Sequence, residues 1–220
     1  MNDRHAPEPR LLRGTGAGLG PLALRFPYEQ RTILHVLAAQ VAERGDQDWL
    51  VFDGADRLTF RQAQNEAYRF AAAVQAAGFS PPHVALLMRN QREFMTAFLG
   101  AQASGGVAAP LNPELRGPLL DTMLRRCEAR VLVVSADLLA SLKSAPSLGE
   151  VELILVCGRV EAGARMHDIP IVALDEWLAP HSPQPPAELP SPADLAVLMF
   201  TSGTTGGSKA VAWPHHYQYL

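Results

Sequence analysis

The chain has 220 residues, of which 48% are hydrophobic and 19% are charged, and it carries a formal net charge of −3 at pH 7. This size and apolar content suit one well-cored domain, with or without a tail. The sequence has no basic run of the kind that binds nucleic acid and no run of about 18 apolar residues that would span a bilayer. Nucleic-acid-binding proteins and membrane-spanning proteins are therefore excluded.

The two cysteines, Cys127 and Cys157, are too few and too far apart for a disulfide framework or a zinc site. A reducing, cytoplasmic location is the interpretation that this cysteine usage favours. His215 and His216 are the only neighbouring histidines, and no cysteine or carboxylate lies at ligand spacing from them. We therefore predict no protein-held metal site.

Residues 1–29 are interpreted as a flexible leader. The first 25 residues lack the apolar core of a secretory signal. The glycine-rich stretch 14–20 resembles a dinucleotide loop, but it misses the G-x-G-x-x-G spacing and no strand precedes it. The folded domain is expected to begin at about residue 30.

The predicted elements alternate between helices and apolar strands. In chain order they are a helix over 32–44, a hairpin of strands 49–52 and 57–60, a helix over 61–77, a strand over 84–88, a helix capped by Asn90 that ends before 105, a strand over 107–110, a helix over 115–127, and strands over 131–134, 153–156 and 171–173. This alternation predicts an α/β fold, a layered sandwich with a largely parallel sheet flanked by helices. Residues 179–193 then form a proline-rich linker, with six prolines between Ala179 and Pro192.

A strand over 195–200 runs directly into a loop that is rich in glycines and hydroxyls and ends in a lysine. The loop residues are Thr201, Ser202, Gly203, Thr204, Thr205, Gly206, Gly207, Ser208 and Lys209. Glycines let backbone amides converge on an anion, and hydroxyls and an ammonium group complete the set of donors that phosphate oxygens accept. The residues after Lys209 predict a short strand that Pro214 stops.

Two other interpretations of this loop stay open. The first is the P-loop of nucleotide-binding proteins, G-x-x-x-x-G-K-[ST]. The sequence departs from this pattern, because the lysine falls one residue late and Ala210 stands where a serine or threonine would hold magnesium. A surface loop that only joins two strands is the second alternative. The choice of lysine argues against this surface loop. The chain has 17 arginines and only two lysines, Lys143 and Lys209, so an ordinary surface charge at this position would be expected to be an arginine.

The stretch Phe-Thr-Ser-Gly-Thr-Thr-Gly-Gly-Ser-Lys resembles the phosphate-binding signature of the AMP-forming adenylating enzymes, which include acyl-CoA synthetases and peptide-synthetase adenylation domains. Ser208 and Ala210 depart from the usual proline and glycine, whereas Val211 and His215 fit. Residues 84–94, 105–113 and 129–134 resemble further landmarks of that family, in the family's order. Residues from about 30 to 220 are therefore expected to form the opening part of the family's large N-terminal domain.

The resemblance implies an acid–thiol ligase that consumes ATP, forms acyl-AMP with release of pyrophosphate, and passes the acyl group to coenzyme A. Loop residues 201–209 would then hold the β- and γ-phosphates, and Lys209 would be the catalytic residue. A role for His215 is left open beside that of a helix-start residue. The family's magnesium ligand, its adenine pocket and its second catalytic lysine have no candidates in this sequence, so we expect a fragment or a truncated product that does not adenylate an acid by itself.

Alternatives to this function are an amino-acid adenylation domain of a peptide synthetase, a P-loop NTPase and a non-catalytic nucleotide-binding fragment.

Overall fold

The computed structural model describes residues 26–201 and 209–219. The helices are α1 (Ile33–Arg44), α2 (Phe60–Ala76), α3 (Arg92–Ala103), α4 (Gly117–Arg126) and α5 (Leu174–Leu178). The strands are β1 (Asp48–Phe52), β2 (Asp56–Thr59), β3 (His83–Leu87), β4 (Val107–Pro110), β5 (Val131–Ser135), β6 (Leu153–Cys157), β7 (Arg165–Met166), β8 (Ile169–Ala173), β9 (Leu195–Thr201) and β10 (Lys209–Pro214). Within these ranges, 3-10 segments cover Tyr28–Gln30, Ala136–Ser144 and His215–Gln218.

One eight-stranded sheet organises the molecule. Its strand order is β10-β9-β4-β3-β5-β6-β8-β7, and the six strands from β9 to β8 run parallel to one another. The edge strands β10 and β7 are antiparallel to their neighbours. The predicted α/β fold with a largely parallel sheet is therefore confirmed. The predicted hairpin is present too, as the separate antiparallel pair β1–β2.

Helices cover both faces of the central strands. Alternate residues of β3 point to opposite sides, so Val84 and Leu86 pack towards α2, α3 and α5, whereas Ala85 and Leu87 pack towards α4. All four side chains are 0% exposed. Burial on both faces explains why the central strands are continuously apolar instead of alternating with polar residues.

The helix starts follow from local capping. The Thr32 hydroxyl accepts a hydrogen bond from the His35 N–H at 3.2 Å and begins α1. Thr59 and Gln62 form a reciprocal capping box at the start of α2. Each cap satisfies backbone donors that have no partner within the helix.

Two predicted helix starts were wrong. Gln91, and not Asn90, occupies the cap position of α3, and no side-chain hydrogen bond caps that helix. The helix predicted from residue 115 begins at Gly117 instead. Asn112 turns the chain first, because its side-chain oxygen accepts from the Glu114 N–H at 2.9 Å and its carbonyl accepts from the Leu115 N–H at 3.0 Å.

Helix α2 approaches α3 closely at a glycine. A Cβ atom added to Gly100 would lie 2.5 Å from Cβ of Phe70, which is itself 0% exposed. The close approach leaves no room for even one methyl group at this crossing. Packing density of this kind makes the α2–α3 pair a rigid support for one face of the sheet.

The proline-rich stretch 179–193 contains no helix or strand, as its composition predicted. In the described ranges, no helix is long and apolar enough to cross a membrane.

Candidate functional site

Strands β9 and β10 form a hairpin whose tip carries the predicted phosphate loop. Strand β9 lies beside β4 in parallel, with Ala108 opposite Val197, so β9 ends at the edge of the sheet where the parallel strands have their carboxyl ends. Strand β10 returns antiparallel, and its first residue, Lys209, pairs with Thr201. Ser202, Gly203, Thr204, Thr205, Gly206, Gly207 and Ser208 lie outside the described residues. The two described members of the loop therefore meet at its base.

Thr201 and Lys209 present their side chains on the same side of the hairpin, because directly opposite residues of an antiparallel pair share a face. Both side chains are exposed, and Lys209 forms no ion pair with any described residue. Met199 and Val211, the next pair on that face, are 38% and 39% exposed. An ammonium group and a hydroxyl thus stand beside an open apolar strip at the carboxyl edge of the sheet.

A hydrogen-bond chain that sequence reasoning missed lies at the same edge. The Arg89 N–H donates to Oγ of Ser135 at 3.0 Å, and the Ser135 hydroxyl donates to Oε1 of Gln91 at 2.7 Å. Ser135 is only 2% exposed, so these bonds fix the chain where β3 and β5 end. The detectable signal was a small hydroxyl residue at the end of an apolar strand.

The Arg89 guanidinium adds a second cation to this edge. Its Nε donates to Oδ2 of Asp137 at 2.7 Å, and Glu114 lies 3.6 Å away. The hydrogen bond to Asp137 raises the pKa of Arg89 above its usual range. Since β3 lies two strands from β9, Arg89 is roughly 10 Å along the sheet from the loop base.

His215, which follows Lys209 by six residues in the sequence, lies at the opposite end of strand β10. The six-residue strand β10 separates them and spans roughly 20 Å. The His215 N–H donates to the carbonyl of Asp194 at 3.0 Å, just before β9 begins. The structure therefore brings Thr201 and Lys209 together and keeps His215 away from the loop base.

The His215 imidazole is fully buried and electrically neutral at pH 7. Its side chain is 0% exposed, and neither ring nitrogen has a hydrogen-bond partner among the described residues. Burial lowers the pKa of His215 to about 4, the Asp194 carboxylate opposes this shift, and nearby His35 adds to it. This environment supports a packing role of the ring at the start of the last 3-10 segment.

Two other sequence candidates fall into structural roles. Cys127 is 0% exposed within the core on the α4 side, and burial raises the pKa of its thiol to about 11. Cys127 is therefore a small core residue. His216 lies next to the proline-rich stretch, with Nδ1 2.7 Å from the carbonyl oxygen of Pro192. Over residues 26–201 and 209–219, no three histidine, cysteine or acidic side chains cluster in a way that suits a metal ion.

Comparison with known proteins gives one family. The family model described as AMP-binding enzyme matches residues 37–219 of the chain. That range includes the whole eight-stranded sheet and the complete β9–β10 hairpin.

Relatives and solved structures agree with this match. The chain is 31% identical over 214 residues to a medium/long-chain-fatty-acid–CoA ligase, FadD6, of Mycobacterium tuberculosis strain ATCC 25618 / H37Rv, covering 96% of this chain and 33% of that protein. It is 30% identical over 198 residues to a linear gramicidin synthase of Brevibacillus parabrevis, covering 88% of this chain and 3% of that protein.

The fold is similar to that of the anthranilate CoA ligase AuaEII, solved in complex with anthranoyl-AMP. The TM-score is 0.75 at 26% identity, over 87% of this chain and 36% of that one. The chain thus spans about one third of the length of each of these two ligases.

Proposed function

The chain belongs to the AMP-binding enzyme family, and from this we propose that it serves an acid–thiol ligase of the acyl-CoA synthetase type. Such a ligase activates a carboxylate with ATP as acyl-AMP, releases pyrophosphate, and then transfers the acyl group to the thiol of coenzyme A. The observation that carries this proposal is the pairing of Thr201 with Lys209 at the carboxyl edge of the parallel sheet. Open α/β sheets bind their ligands at that edge.

We assign the β- and γ-phosphates of ATP to the loop from Thr201 to Lys209, with Ser202, Gly203, Thr204, Thr205, Gly206, Gly207 and Ser208 between them. Their backbone amides and hydroxyls would donate hydrogen bonds to phosphate oxygens. The hairpin supports this assignment, because the Thr201–Lys209 pair sets the two ends of the loop side by side.

Lys209 would stabilise the charge that grows on the departing pyrophosphate. Attack of a carboxylate oxygen on the α-phosphorus breaks the bond to the bridging oxygen, and the electron pair of that bond goes to pyrophosphate. Phosphoryl transfer of this kind depends on positioning and charge neutralisation more than on a protein nucleophile. Lys209 suits the task because it is exposed and forms no ion pair with a described residue. Magnesium would share in the neutralisation when bound with ATP, but its protein ligand is not assigned to any described residue.

We place the reaction in the cytoplasm. Both cysteines are free, Cys127 in the core and Cys157 partly buried, which suits a reducing compartment.

The experiment that tests the proposal is pyrophosphate exchange into ATP. Because these 220 residues are not expected to adenylate an acid by themselves, a complete protein that contains this chain is incubated with ATP, magnesium, labelled pyrophosphate and a panel of fatty, aromatic and amino acids. We expect exchange that requires one class of acid. ATP hydrolysis that needs no acid would contradict the proposal and support a P-loop-type NTPase, and binding of ATP without either reaction would support a non-catalytic nucleotide-binding domain.

An amino-acid adenylation function is the second candidate. The similarity to a linear gramicidin synthase favours it. The two candidates differ in the acid that drives exchange and in the final acceptor. Exchange driven by a fatty or aromatic acid, followed by formation of a CoA thioester, supports the first candidate, whereas exchange driven only by an amino acid, with no thioester of free coenzyme A, supports the second.

A further inference from the structure

A second concave site lies on the other arm of the sheet. A cavity of about 500 Å³ opens at the carboxyl end of β6, between helices α2, α3 and α5. Its volume falls in the range of small-molecule sites, roughly 300–1,000 Å³. Four strand spacings separate β6 from β9, which corresponds to roughly 19 Å along the sheet from the loop base.

One cation of this cavity lacks a partner in the described part of the chain. Arg69, on α2, forms no ion pair with any described carboxylate, and its buried Nε has no hydrogen-bond partner among the described residues. The other guanidinium in the wall, that of Arg92, is satisfied. It pairs with Glu66 and lies 3.1 Å from Oδ1 of Asp56. Arg69 is therefore the group in the cavity that is left to bind an anion.

Two carboxylates of the cavity wall likewise have no cation among the described residues. Glu93 is held by a hydrogen bond of 2.9 Å from Nε2 of Gln91, and Asp175 accepts the Glu176 N–H at 2.9 Å, yet neither forms an ion pair with a described residue. Both act on the same wall residue, Cys157. Burial raises the pKa of its thiol to about 12, and the charges of Glu93 and Asp175 add to the shift. This side of the cavity thus favours a positive charge.

Helix α5 adds an apolar part to the cavity wall. Leu174 and Leu178 of α5 line the cavity and are only 3% and 9% exposed. Arg69 has no described carboxylate oxygen within ion-pair distance, so a gap separates it from Glu93 and Asp175. A ligand that bridges this gap needs an anionic group, an apolar spacer and a cationic group.

We propose that this cavity binds a short aliphatic amino carboxylate as a zwitterion. Its carboxylate pairs with the Arg69 guanidinium, and its ammonium group lies between Glu93 and Asp175. The methylene spacer packs on Leu174 and Leu178. A zwitterion supplies counter-ions to all three charged side chains at once and leaves the net charge of the site unchanged. A simple acid or a simple amine pairs with only one side of the cavity and changes its net charge.

The test uses three zwitterions of increasing spacer length, namely glycine, 4-aminobutyrate and 6-aminohexanoate, with butyrate and butylamine as single-charge probes. Binding to the purified 220-residue chain is measured by isothermal titration calorimetry and ligand-observed NMR. We expect one of the longer zwitterions to bind with a dissociation constant on the order of 1 mM, and the single-charge probes to bind at least roughly tenfold more weakly.

Variants then assign the contacts. Arg69→Gln and the double change Glu93→Gln with Asp175→Asn are each expected to weaken binding roughly tenfold, a loss of about 1.4 kcal/mol. Arg165→Gln removes an exposed guanidinium outside the cavity and is the matched control, expected to leave binding unchanged. Circular dichroism confirms that each variant is folded.

Three results would overturn the proposal. They are no binding of any zwitterion to the folded wild-type chain, equal binding of butyrate or butylamine, and equal weakening by the Arg165 control. The first two use the wild-type chain, so they decide the matter even if a cavity variant does not fold.

Discussion

Acid should destabilise this protein through one buried ring, that of His215. In the folded chain the pKa of His215 is about 4, against 6.5 for an exposed histidine. The unfolded chain therefore binds a proton more readily than the folded chain as the pH falls below 6.5. The contribution of the neutral ring to the free energy of unfolding is fully present above pH 6.5. It is lost progressively as the pH falls from 6.5 to about 4.

The size of the loss follows from the two pKa values. Each tenfold difference in proton affinity corresponds to about 1.4 kcal/mol, so the difference between a pKa of 6.5 and one of about 4 lowers the free energy of unfolding by about 3 kcal/mol. About 2 kcal/mol of this is lost already at pH 5. This is a large fraction of the total stability of a typical domain, which is roughly 5–15 kcal/mol.

Urea unfolding between pH 7.5 and pH 4.5, followed by circular dichroism, measures this loss. The reference variants are His215→Phe, which keeps a ring in the core, and His215→Gln, which keeps polarity without a titrating group. Any difference in stability at pH 7.5 that comes from packing is independent of pH, so it does not affect the comparison. We expect the wild-type chain to lose about 2 kcal/mol more than either variant between pH 7.5 and pH 5.

Parallel stability curves for the wild type and both variants would refute the reasoning. They would mean that the His215 ring is protonated equally easily in the folded and unfolded chains. An NMR titration of the His215 ring protons gives an independent check, with an expected midpoint near pH 4.

Three further predictions concern other parts of the chain. In a complete ligase that contains this chain, Lys209→Met should reduce acid-dependent pyrophosphate exchange roughly 10²-fold and leave acyl transfer from preformed acyl-AMP unchanged, because only the first step releases pyrophosphate. Gly100→Ala should lower the free energy of unfolding by about 1–3 kcal/mol, since the new methyl group meets Phe70, whereas Asn65→Ala, at an exposed position of α2, should not. Cys157 should react with iodoacetamide at pH 7.5 roughly 10³-fold more slowly in the native chain than in urea, because burial raises its pKa to about 12.

Each of these has a clear contrary outcome. Exchange at the parental rate in the lysine variant would show that the loop acts through its amides and hydroxyls alone. An alanine at position 100 that leaves urea unfolding unchanged would mean that the helix pair relaxes freely. Equal labelling rates in native and unfolded chains would show that the Cys157 thiol is open to solvent.

Much of the fold was predictable because each central strand is a short apolar run between turn residues. Strand order was not predictable. Local periodicity does not say that β9 lies beside β4, since that neighbour is chosen by packing across a large separation in sequence. The misplaced start of α4 has a local cause: the Asn112 side chain stabilises a turn that competes with the first helical turn.

The features of the candidate site likewise divide into those that local sequence predicts and those that depend on the packing of distant segments. Lys209 and the base of its loop were predicted to bind phosphate from their residue types, because that chemistry is local in sequence, and this role stays a prediction. The role of His215 was left open, and the structure supports a helix-start residue, because a strand of six residues after Lys209 places the two residues at opposite ends of it. The second cavity had no sequence signal, since Arg69, Glu93 and Asp175 come together only through the packing of three helices.

The β9–β10 hairpin also has a consequence for the order of folding. Its two strands are close in sequence and pair locally, so the loop closure they require costs little entropy. Docking the hairpin against β4 is different, because Ala108 must meet Val197 after helix α4, strands β5 to β8 and the proline-rich stretch have been placed. Contacts of such long range form late in folding. During synthesis the β9–β10 hairpin would thus be the last part of the described sheet to reach its place, and the proposed ATP site would form only after the rest of the sheet.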